Sequence, residues 1–279
     1  MKVTFWGTRG SLAVAGPDTL RYGGNTACVA LEGAGAPLLV LDAGSGIRGL
    51  GAAVAADTTS VHILLTHLHM DHIQGLGFFA PLFAPDREIH IWGPPSNMQS
   101  LHDRLTRYLS PPLFPVVLRD LPSRLALHDA PTDVPFTIGN LTISASPIIH
   151  PGPTLGYRIN DGRVTVAYLP DHEPALGSRQ FPEPAEWMSG FDLAWQADLL
   201  IHDAQYTDAE YEARTGWGHS SVHQAVAFGE AARVKRLALF HHDPSRDDAA
   251  LDALLEDVGG RAGTASVFGT REGATLDVI

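Results

Sequence analysis

Hydrophobic residues occur along the chain in short runs that polar and glycine-rich turns separate. Several runs are apolar throughout, which is typical of strands of about 4–8 residues in the interior of a sheet. Two runs flank Gly139-Asn140, a dipeptide typical of a hairpin turn. The runs predict strands over residues 3–6, 27–32, 37–42, 61–66, 88–92, 141–149, 164–170, 198–202 and 236–240.

Segments with helical spacing lie between these strands. They predict helices over residues 47–56, 97–109, 221–233 and 246–258. The second helix carries one apolar stripe, which predicts a face packed on the core: Met98, Leu101, Leu105 and Leu109. The proline-rich segment 110–135 permits no assignment. The alternation of strands and helices, without a linker or a repeat, predicts an α/β or α+β protein with one domain over residues 1–279.

Four potential metal ligands follow the apolar run 61–66 within six positions: His67, His69, Asp71 and His72. Imidazole and carboxylate groups bind zinc and similar divalent ions. His67 and His69 point the same way if the strand continues, whereas Asp71 and His72 lie past the turn and can face a second position. The residues from Ile73 onward suit the start of a helix. A single histidine here would more often be structural, but four such residues are hard to explain by packing and predict two metals.

The pattern His-x-His-x-Asp-His after a hydrophobic strand resembles the signature of the metallo-β-lactamase superfamily of metallohydrolases. The resemblance spans nearly the whole chain and implies an αββα sandwich, in which helices cover two mixed sheets. It also implies three later ligands, and each candidate follows an apolar run: His150, the metal-bridging Asp171 and His241. His242 is adjacent to His241, so the last ligand is ambiguous, and the family pattern favours His241.

The resemblance implies a binuclear metal centre. One ion would be bound by His67, His69 and His150, the other by Asp71, His72 and His241, with Asp171 between them. These ligands suit zinc, and manganese or iron also fit. Two neighbouring ions generate hydroxide from a shared water and bind the oxygens that gain charge. Hydrolysis is therefore the expected reaction, and Asp71 belongs to the expected catalytic set.

Two motifs near the C-terminus resemble those of the phosphodiesterase branch of the superfamily, which includes tRNase Z endonucleases and small cyclic-phosphate phosphodiesterases. They are Leu200-Ile201-His202-Asp203-Ala204 and Trp217-Gly218-His219-Ser220-Ser221. The resemblance implies that His219 contacts the phosphate or assists the leaving group, as a catalytic and substrate-binding residue. The structural alternative is a helix-start residue that caps the helix or binds an anion. His202 resembles a supporting position behind the ligands.

The segments Phe5–Ser11 and Arg21–Thr26 resemble small bacterial members of the same branch. Arg9 or Arg21 can contact a phosphate through a forked hydrogen bond, and either can equally tie down a loop. His172 and Glu173 depart from the commoner residues after the bridging aspartate. They either shape the choice of substrate or are exposed.

Composition limits the remaining possibilities. The chain of 279 residues is 44% hydrophobic and 18% charged, as expected for a soluble globular enzyme. Its single cysteine, Cys28, is expected to lie in the core. Because one cysteine cannot form an internal disulfide, the composition also fits a reducing compartment. No signal peptide is visible and no apolar stretch approaches 18 residues, so we expect a cytoplasmic protein without a membrane partner. A homo-oligomer is compatible with the sequence.

Two features argue against a transfer-RNA substrate. The net charge of −12 opposes binding to a nucleic-acid backbone, although a basic patch can sit on an acidic protein. In tRNase Z enzymes an arm for the tRNA elbow often lies between the third histidine and the bridging aspartate. Here only 21 positions separate His150 from Asp171, which leaves no room for that arm.

The expected function is therefore hydrolysis of a small phosphodiester, such as a cyclic nucleotide or a related cyclic phosphate. The first alternative is an RNA endonuclease or exonuclease of the tRNase Z type. The second is hydrolysis of a lactone or thioester, because the same metals also suit a tetrahedral oxyanion. The third is a metal-binding module without catalysis, which the complete set of ligand types disfavours.

Overall fold

The computed structural model describes residues 1–176, 181, 183–259 and 265–279. Within these ranges, seven strands form each of two mixed sheets. In the first sheet they are, in chain order, β1 (Lys2–Gly7), β2 (Cys28–Glu32), β3 (Leu38–Leu41), β4 (Ser60–Leu64), β5 (Glu88–Gly93), β6 (Arg124–Asp129) and, at the C-terminus, β14 (Thr275–Asp277). The order across this sheet is β14-β1-β2-β3-β4-β5-β6. Strands β3 to β6 are parallel, and the other neighbouring pairs are antiparallel.

The second sheet has the same division into a parallel and an antiparallel half. Its strands are β7 (Phe136–Ile138), β8 (Leu141–Pro147), β9 (Leu155–Asn160), β10 (Thr165–Leu169), β11 (Leu199–Asp203), β12 (Arg236–Phe240) and β13 (Ser266–Gly269). They are arranged in the order β13-β12-β11-β10-β9-β8-β7. Strands β10 to β13 are parallel, and β7 to β10 pair antiparallel. Strands β8, β10, β11 and β12 consequently run in one direction and end at the same edge of the sheet.

Helices cover the outer face of each sheet. The described helices are α1 (Ile47–Ala53), α2 (Met70–Ile73), α3 (Leu101–Thr106), α4 (Phe191–Ala194), α5 (Asp208–Arg214), α6 (Val222–Ala231) and α7 (Asp248–Gly259). Successive side chains along a strand point to opposite faces of the sheet, so each strand packs on the other sheet with one face and on the helices with the other. Leu39 and Leu41 pack against the second sheet, whereas Val40 between them packs under α1 and α3. The predicted four-layer αββα sandwich is confirmed.

The predicted strands agree with the structure within two residues at each end. The helix predicted over 97–109 is wrong at both ends, since α3 spans only Leu101–Thr106. The Ser100 hydroxyl accepts a hydrogen bond from the amide of Asp103, which caps the helix there and leaves Met98 outside it, 88% exposed. Strands β6, β9, β13 and β14 were not predicted, because none of them contains a continuous apolar run; β6 is a half-buried edge strand. None of the described helices is long and apolar enough to cross a bilayer.

Candidate metal centre

The four clustered ligands lie in a loop and a short helix rather than at a strand end. Strand β4 ends at Leu64, His67 and His69 follow in the loop, and α2 already contains Asp71 and His72. The predicted helix start at Ile73 is therefore wrong by three residues, since α2 begins at Met70. The centres of the His67 and His69 rings are nevertheless only 4.3 Å apart.

The other three predicted ligands come from the second sheet. His150, Asp171 and His241 each follow a strand that ends at the same edge, after β8, β10 and β12. His241 has a φ of 61°, in the left-handed region, so the regular alternation of the strand stops before it. The structure brings all seven predicted ligands together, although they belong to different sheets.

Asp171 stands between two groups of side chains. Its Oδ2 atom lies 3.8 Å from His67 Nε2 and 3.7 Å from His150 Nε2. Its Oδ1 atom lies 3.0 Å from His72 Nε2 and 3.2 Å from His241 Nε2. The ligand atoms within each group lie within 4.8 Å of one another, and the groups are His67, His69, His150 and Asp171, and Asp71, His72, Asp171 and His241. One carboxylate therefore serves both groups, as a bridging ligand must.

The spacing of these atoms fits divalent metals. Ligands about 2.0–2.1 Å from a tetrahedral ion lie roughly 3.3 Å from each other. The observed separations are close to this value: His241 Nε2 to Asp71 Oδ2 is 3.2 Å, His72 Nε2 to His241 Nε2 is 3.4 Å, and His150 Nε2 to His69 Nδ1 is 3.2 Å. The buried Nε2 atom of His67 has no hydrogen-bond partner among the described residues. The donor set and its geometry therefore suit metal ions.

The charges within the cluster agree with this assignment. Burial lowers the pKa of His67 well below its usual value, and it lowers that of His69 and His150 in the same direction, which favours the neutral rings that bind metals. Burial also opposes a charge on His72, but Asp171, Asp71 and Asp42 raise the pKa of that ring well above the usual value. These carboxylates therefore stabilise a positive charge in the cluster, and a bound metal ion would provide that charge.

Fixed partners orient the histidine rings. The Nδ1 atom of His67 lies 3.1 Å from Thr66 Oγ1, and the Nδ1 atom of His72 lies 2.8 Å from Asp42 Oδ2. The Nδ1 atom of His150 lies 2.9 Å from the carbonyl oxygen of Gly218, and the Nδ1 atom of His241 lies 2.9 Å from Gln205 Oε1. These contacts leave each Nε2 atom directed to the centre. His69 is different, because its Nδ1 atom faces His150.

His219 borders both ligand groups. Its ring stacks on His241 at a centroid distance of 5.0 Å and meets the His150 ring edge-on at 5.1 Å. Its Nδ1 atom lies 2.6 Å from Oδ2 of the buried Asp203. Burial opposes protonation, but Asp203 outweighs it and raises the pKa of His219 to about 9. Asp203 also accepts hydrogen bonds from the amides of Gln205 and Ser220, so its oxygens are already engaged and it orients His219.

The two predicted phosphate-binding arginines have other partners. The fully buried Arg9 donates to the carbonyl oxygens of Gly23, Asp243 and Arg246. Arg21 forms a 2.6 Å ion pair with Asp252 on α7. Both guanidinium groups therefore bind other parts of the protein, Arg9 the loops and Arg21 helix α7. This agrees with the alternative that each arginine holds a loop in place rather than contacting a phosphate. The opening segment still reaches the centre, because the Ser11 amide donates to Asp71 Oδ2 at 2.7 Å.

His172, Glu173 and His202 are fully buried, which excludes the alternative that the first two are exposed. His172 Nδ1 lies 2.9 Å from His202 Nε2, and this pair supports the loop after Asp171. His242 points away from the cluster, with its Nε2 atom 3.0 Å from the carbonyl oxygen of Thr270. Burial lowers the pKa of His242 to about 3.

The sequence analysis assigned no role to three residues that orient the histidines, Asp42, Asp203 and Gln205. Asp42 accepts from the amide and hydroxyl of Thr66 and from the Tyr168 hydroxyl, besides contacting His72. One signal was available for both aspartates, since Asp42 directly follows β3 and Asp203 ends β11, at strand ends like those of the ligands. For Gln205 the sequence offers no such signal.

The family model described as "Beta-lactamase superfamily domain" matches residues 38–242. The chain belongs to the β-lactamase superfamily. A curated relative, ribonuclease Z of Myxococcus xanthus, is 28% identical over 91% of both chains. The predicted family and the prediction of a metal-dependent hydrolase are confirmed.

Solved structures show the same fold. The metallo-β-lactamase fold protein YhfI of Bacillus subtilis is 21% identical, covers 99% of each chain and has a TM-score of 0.72. The short form of human tRNase Z is 21% identical over 100% of each chain, with a TM-score of 0.69. A diphosphatase of the PhnP family is 17% identical over 99% of this chain and 96% of its own, with a TM-score of 0.66.

Proposed function

We propose that this superfamily member is a binuclear metal-dependent phosphodiesterase whose substrate is a small phosphodiester, such as a cyclic nucleotide or a related cyclic phosphate. The observation that carries the proposal is Asp171, whose two oxygens face two separate ligand groups, with the His219–Asp203 pair at their common border. We also propose that residues 1–279 act as one hydrolase domain, because the ligands come from both sheets.

The proposed reaction divides between the ions and the side chains. Two bound divalent ions, most suitably zinc, supply Lewis acidity to the phosphate oxygens and acidify water. His67, His69, His150 and Asp171 would hold one ion, and Asp71, His72, His241 and Asp171 the other. Asp203 engages Nδ1 of His219 and raises the pKa of that ring to about 9, which favours a protonated ring as a hydrogen-bond donor. This donor is placed to give a proton to the leaving oxygen.

The chain between His150 and Asp171 supports a small substrate. It forms β9 and β10, which are joined by a tight turn where the Asp161 amide donates to the carbonyl oxygen of Val164. All of these residues are described, and none forms an arm for a large RNA. The net charge of −12 argues in the same direction.

An RNA nuclease is the second candidate. It is favoured by the likeness to M. xanthus ribonuclease Z over 91% of this chain and by the fold shared with human tRNase Z. The two candidates use the same ligands and differ in what the rim of the centre accepts. Only substrate turnover separates them.

A substrate panel tests the proposal. The zinc-loaded protein would be assayed with bis-p-nitrophenyl phosphate, 2′,3′- and 3′,5′-cyclic nucleotides, a short RNA, a lactone and a thioester. We expect turnover of the small phosphodiesters. Faster turnover of the RNA than of every small diester would select the nuclease. Turnover of only the lactone or thioester would reject phosphodiester hydrolysis altogether.

A further inference from the structure

Trp217 exposes a large aromatic side chain beside the metal centre. Its side chain is 60% exposed, and it makes no ring or cation–π contact with the part of the chain that the structure describes. It stands between two glycines, Gly216 and Gly218, which both have a φ of 86°. A single exposed aromatic residue is common on protein surfaces and needs no explanation by itself. Trp217 differs from such residues because hydrogen bonds fix the backbone on both sides of it.

Glu173 holds the backbone on both sides of Trp217. This fully buried carboxylate accepts hydrogen bonds from the Gly216 amide at 3.0 Å and from the Gly218 amide at 2.9 Å. It also accepts from the Tyr211 hydroxyl at 2.7 Å. Hydrogen bonds to a charged acceptor are stronger than those between neutral groups. One buried carboxylate therefore fixes the backbone at both residues that flank the exposed Trp217.

The same loop forms part of the candidate metal centre. The Gly218 carbonyl oxygen lies 2.9 Å from Nδ1 of His150, and His219 is the next residue. Because consecutive Cα atoms are about 3.8 Å apart, the Trp217 backbone is one residue from the contact with His150. Trp217 therefore belongs to the loop that borders the candidate centre, directly before Gly218 and His219.

We propose that Trp217 is the stacking surface for a nucleobase of the substrate, and that Glu173 is the residue that positions it. The proposal rests on the phosphodiesterase function above and narrows its substrates to nucleotides. A base is joined to its phosphate through a ribose, so it reaches outward from the reacting phosphorus to the rim. Stacking on an indole accepts any base face, and a fixed loop lowers the entropy lost on binding.

Calorimetry with two probes tests the stacking contact. Adenosine 5′-monophosphate and ribose 5-phosphate share the phosphate and the sugar and differ in the base. We expect the zinc-loaded protein to bind the nucleotide roughly 5- to 150-fold more tightly, the range that stacking of one base provides. Trp217→Ala should remove this preference by weakening nucleotide binding alone, and Trp217→Phe should retain part of it.

Two further variants separate positioning from general damage. Glu173→Gln should keep its zinc, measured by elemental analysis, while its preference for the nucleotide falls. Equal weakening of both probes would make Glu173 merely structural and would overturn its positioning role. Phe83→Ala is the matched control, because Phe83 is also an exposed aromatic residue, 42% exposed, but lies in the outer layer of the first sheet. It should keep the full preference.

The possible outcomes distinguish this proposal from the function on which it rests. A wild-type protein that binds both probes equally, or binds neither, overturns the stacking role. So does a Trp217→Ala variant with an unchanged preference, even if phosphodiesters are hydrolysed. If instead the preference is present and is lost in Trp217→Ala, but no phosphodiester is turned over, the stacking surface stands and the phosphodiesterase function falls.

Discussion

Among single residues, the hydrogen-bond partners of each buried imidazole ring decide whether one of its nitrogens is left to bind a metal. His241 contacts Gln205 through Nδ1 and directs Nε2 to the two aspartates, Asp71 and Asp171. Its neighbour His242 is turned to the carbonyl oxygen of Thr270. Both rings are buried, so burial alone does not separate a ligand from a structural residue.

Alanine substitutions of these two neighbours should have opposite consequences. His241→Ala removes an atom of the second ligand group, so bound zinc and turnover should both fall, turnover by at least about 10–100-fold. His242→Ala should keep its zinc and lose about 1–3 kcal/mol of stability, because it leaves the Thr270 contacts unmade. Elemental analysis and urea unfolding measure the two effects. Zinc loss confined to His242→Ala would reverse the assignment.

His219 should act on the leaving group without holding the metals. His219→Ala should keep both the fold and the zinc and lose roughly 10²–10⁴ in rate on a cyclic nucleotide. The loss should shrink for bis-p-nitrophenyl phosphate, whose leaving group needs little protonation. An equal loss on both substrates would indicate a binding role, and loss of zinc would make His219 a ligand.

At the scale of elements, the loop before α6 is packed so closely on His150 that residue 218 has to be glycine. A Cβ atom on Gly218 would lie 2.3 Å from Pro151 Cδ and 2.4 Å from His150 Nδ1, and the φ of 86° would strain any other residue. Gly216 has the same φ, but a Cβ atom there meets nothing within 4 Å. Substitutions at the two glycines therefore distinguish the effect of a steric clash from the effect of backbone strain.

Gly218→Ala should displace His150 and weaken zinc binding by roughly 10–100-fold, as expected when the support of a ligand is disturbed. Gly216→Ala carries the backbone strain alone, about 1–2 kcal/mol, and should retain zinc near the wild-type affinity. Competition with a fluorescent chelator measures both affinities. Similar losses in the two variants would show that strain, not the clash with His150, controls the site.

Strands β4, β5 and β6 carry a second group of histidines, His62, His90 and His128. His62 and His90 stack at a centroid distance of 4.4 Å, and His90 Nδ1 lies 2.9 Å from His128 Nε2. Burial, together with His90 and His128, lowers the pKa of His62 to about 4. An unfolded histidine has a pKa of about 6.5. Between these values the unfolded chain binds more protons, so stability falls as the pH drops from about 6.5 towards 4.

Replacing His62 should reduce this acid sensitivity. Between pH 7 and pH 5, His62→Gln should lose less unfolding free energy than the wild type, by about 1 kcal/mol once solvent exposure is discounted. Urea unfolding at the two pH values measures the difference. His102→Gln, at an exposed position on α3, is the control and should follow the wild type. The same pH dependence in all three proteins would contradict the prediction.

At the scale of the whole molecule, the cluster joins the two sheets. His67, His69, Asp71 and His72 come from the first half of the sandwich, and His150, Asp171 and His241 come from the edge of the second sheet. A site of this kind exists only in the folded state, so metal binding stabilises the fold. Asp171 reaches both ligand groups and should carry most of this coupling.

Metal removal should therefore lower the melting temperature. Free zinc at 100 times its dissociation constant contributes about 2.7 kcal/mol per site, which corresponds to roughly 5 °C for a protein of this size. Asp171→Ala should lose most of the zinc and nearly all of the turnover, and its melting temperature should hardly respond to a chelator. Asp57→Ala, at an exposed loop position, should respond like the wild type. Two zinc ions retained by Asp171→Ala would refute the bridging role.

The pattern of the chain predicted nine of the fourteen described strands and the four clustered ligands, whereas the αββα sandwich and the three later ligands were implied by the family resemblance. The strands and the cluster are local features: a buried strand appears as an apolar run, and a polar residue that soon follows it lies near the edge of the sheet. The resemblance to a known family then indicated which strand ends carry metal ligands. Strand β6 and the ends of α3 were not predictable in this way, because edge burial and the Ser100 cap depend on packing.

The side chains that support the ligands could be identified only from the packed structure. Asp42 meets His72 across 30 positions, and Gln205 meets His241 across 36. Arg9 bonds backbone carbonyls on loops that lie more than 200 positions away in the chain. Such contacts arise where loops from different strands pack together, and a polar residue in a loop has many possible partners until they do. The residue pattern and the family resemblance therefore predict which residues are ligands, whereas the packing of both sheets decides what holds each ligand in place.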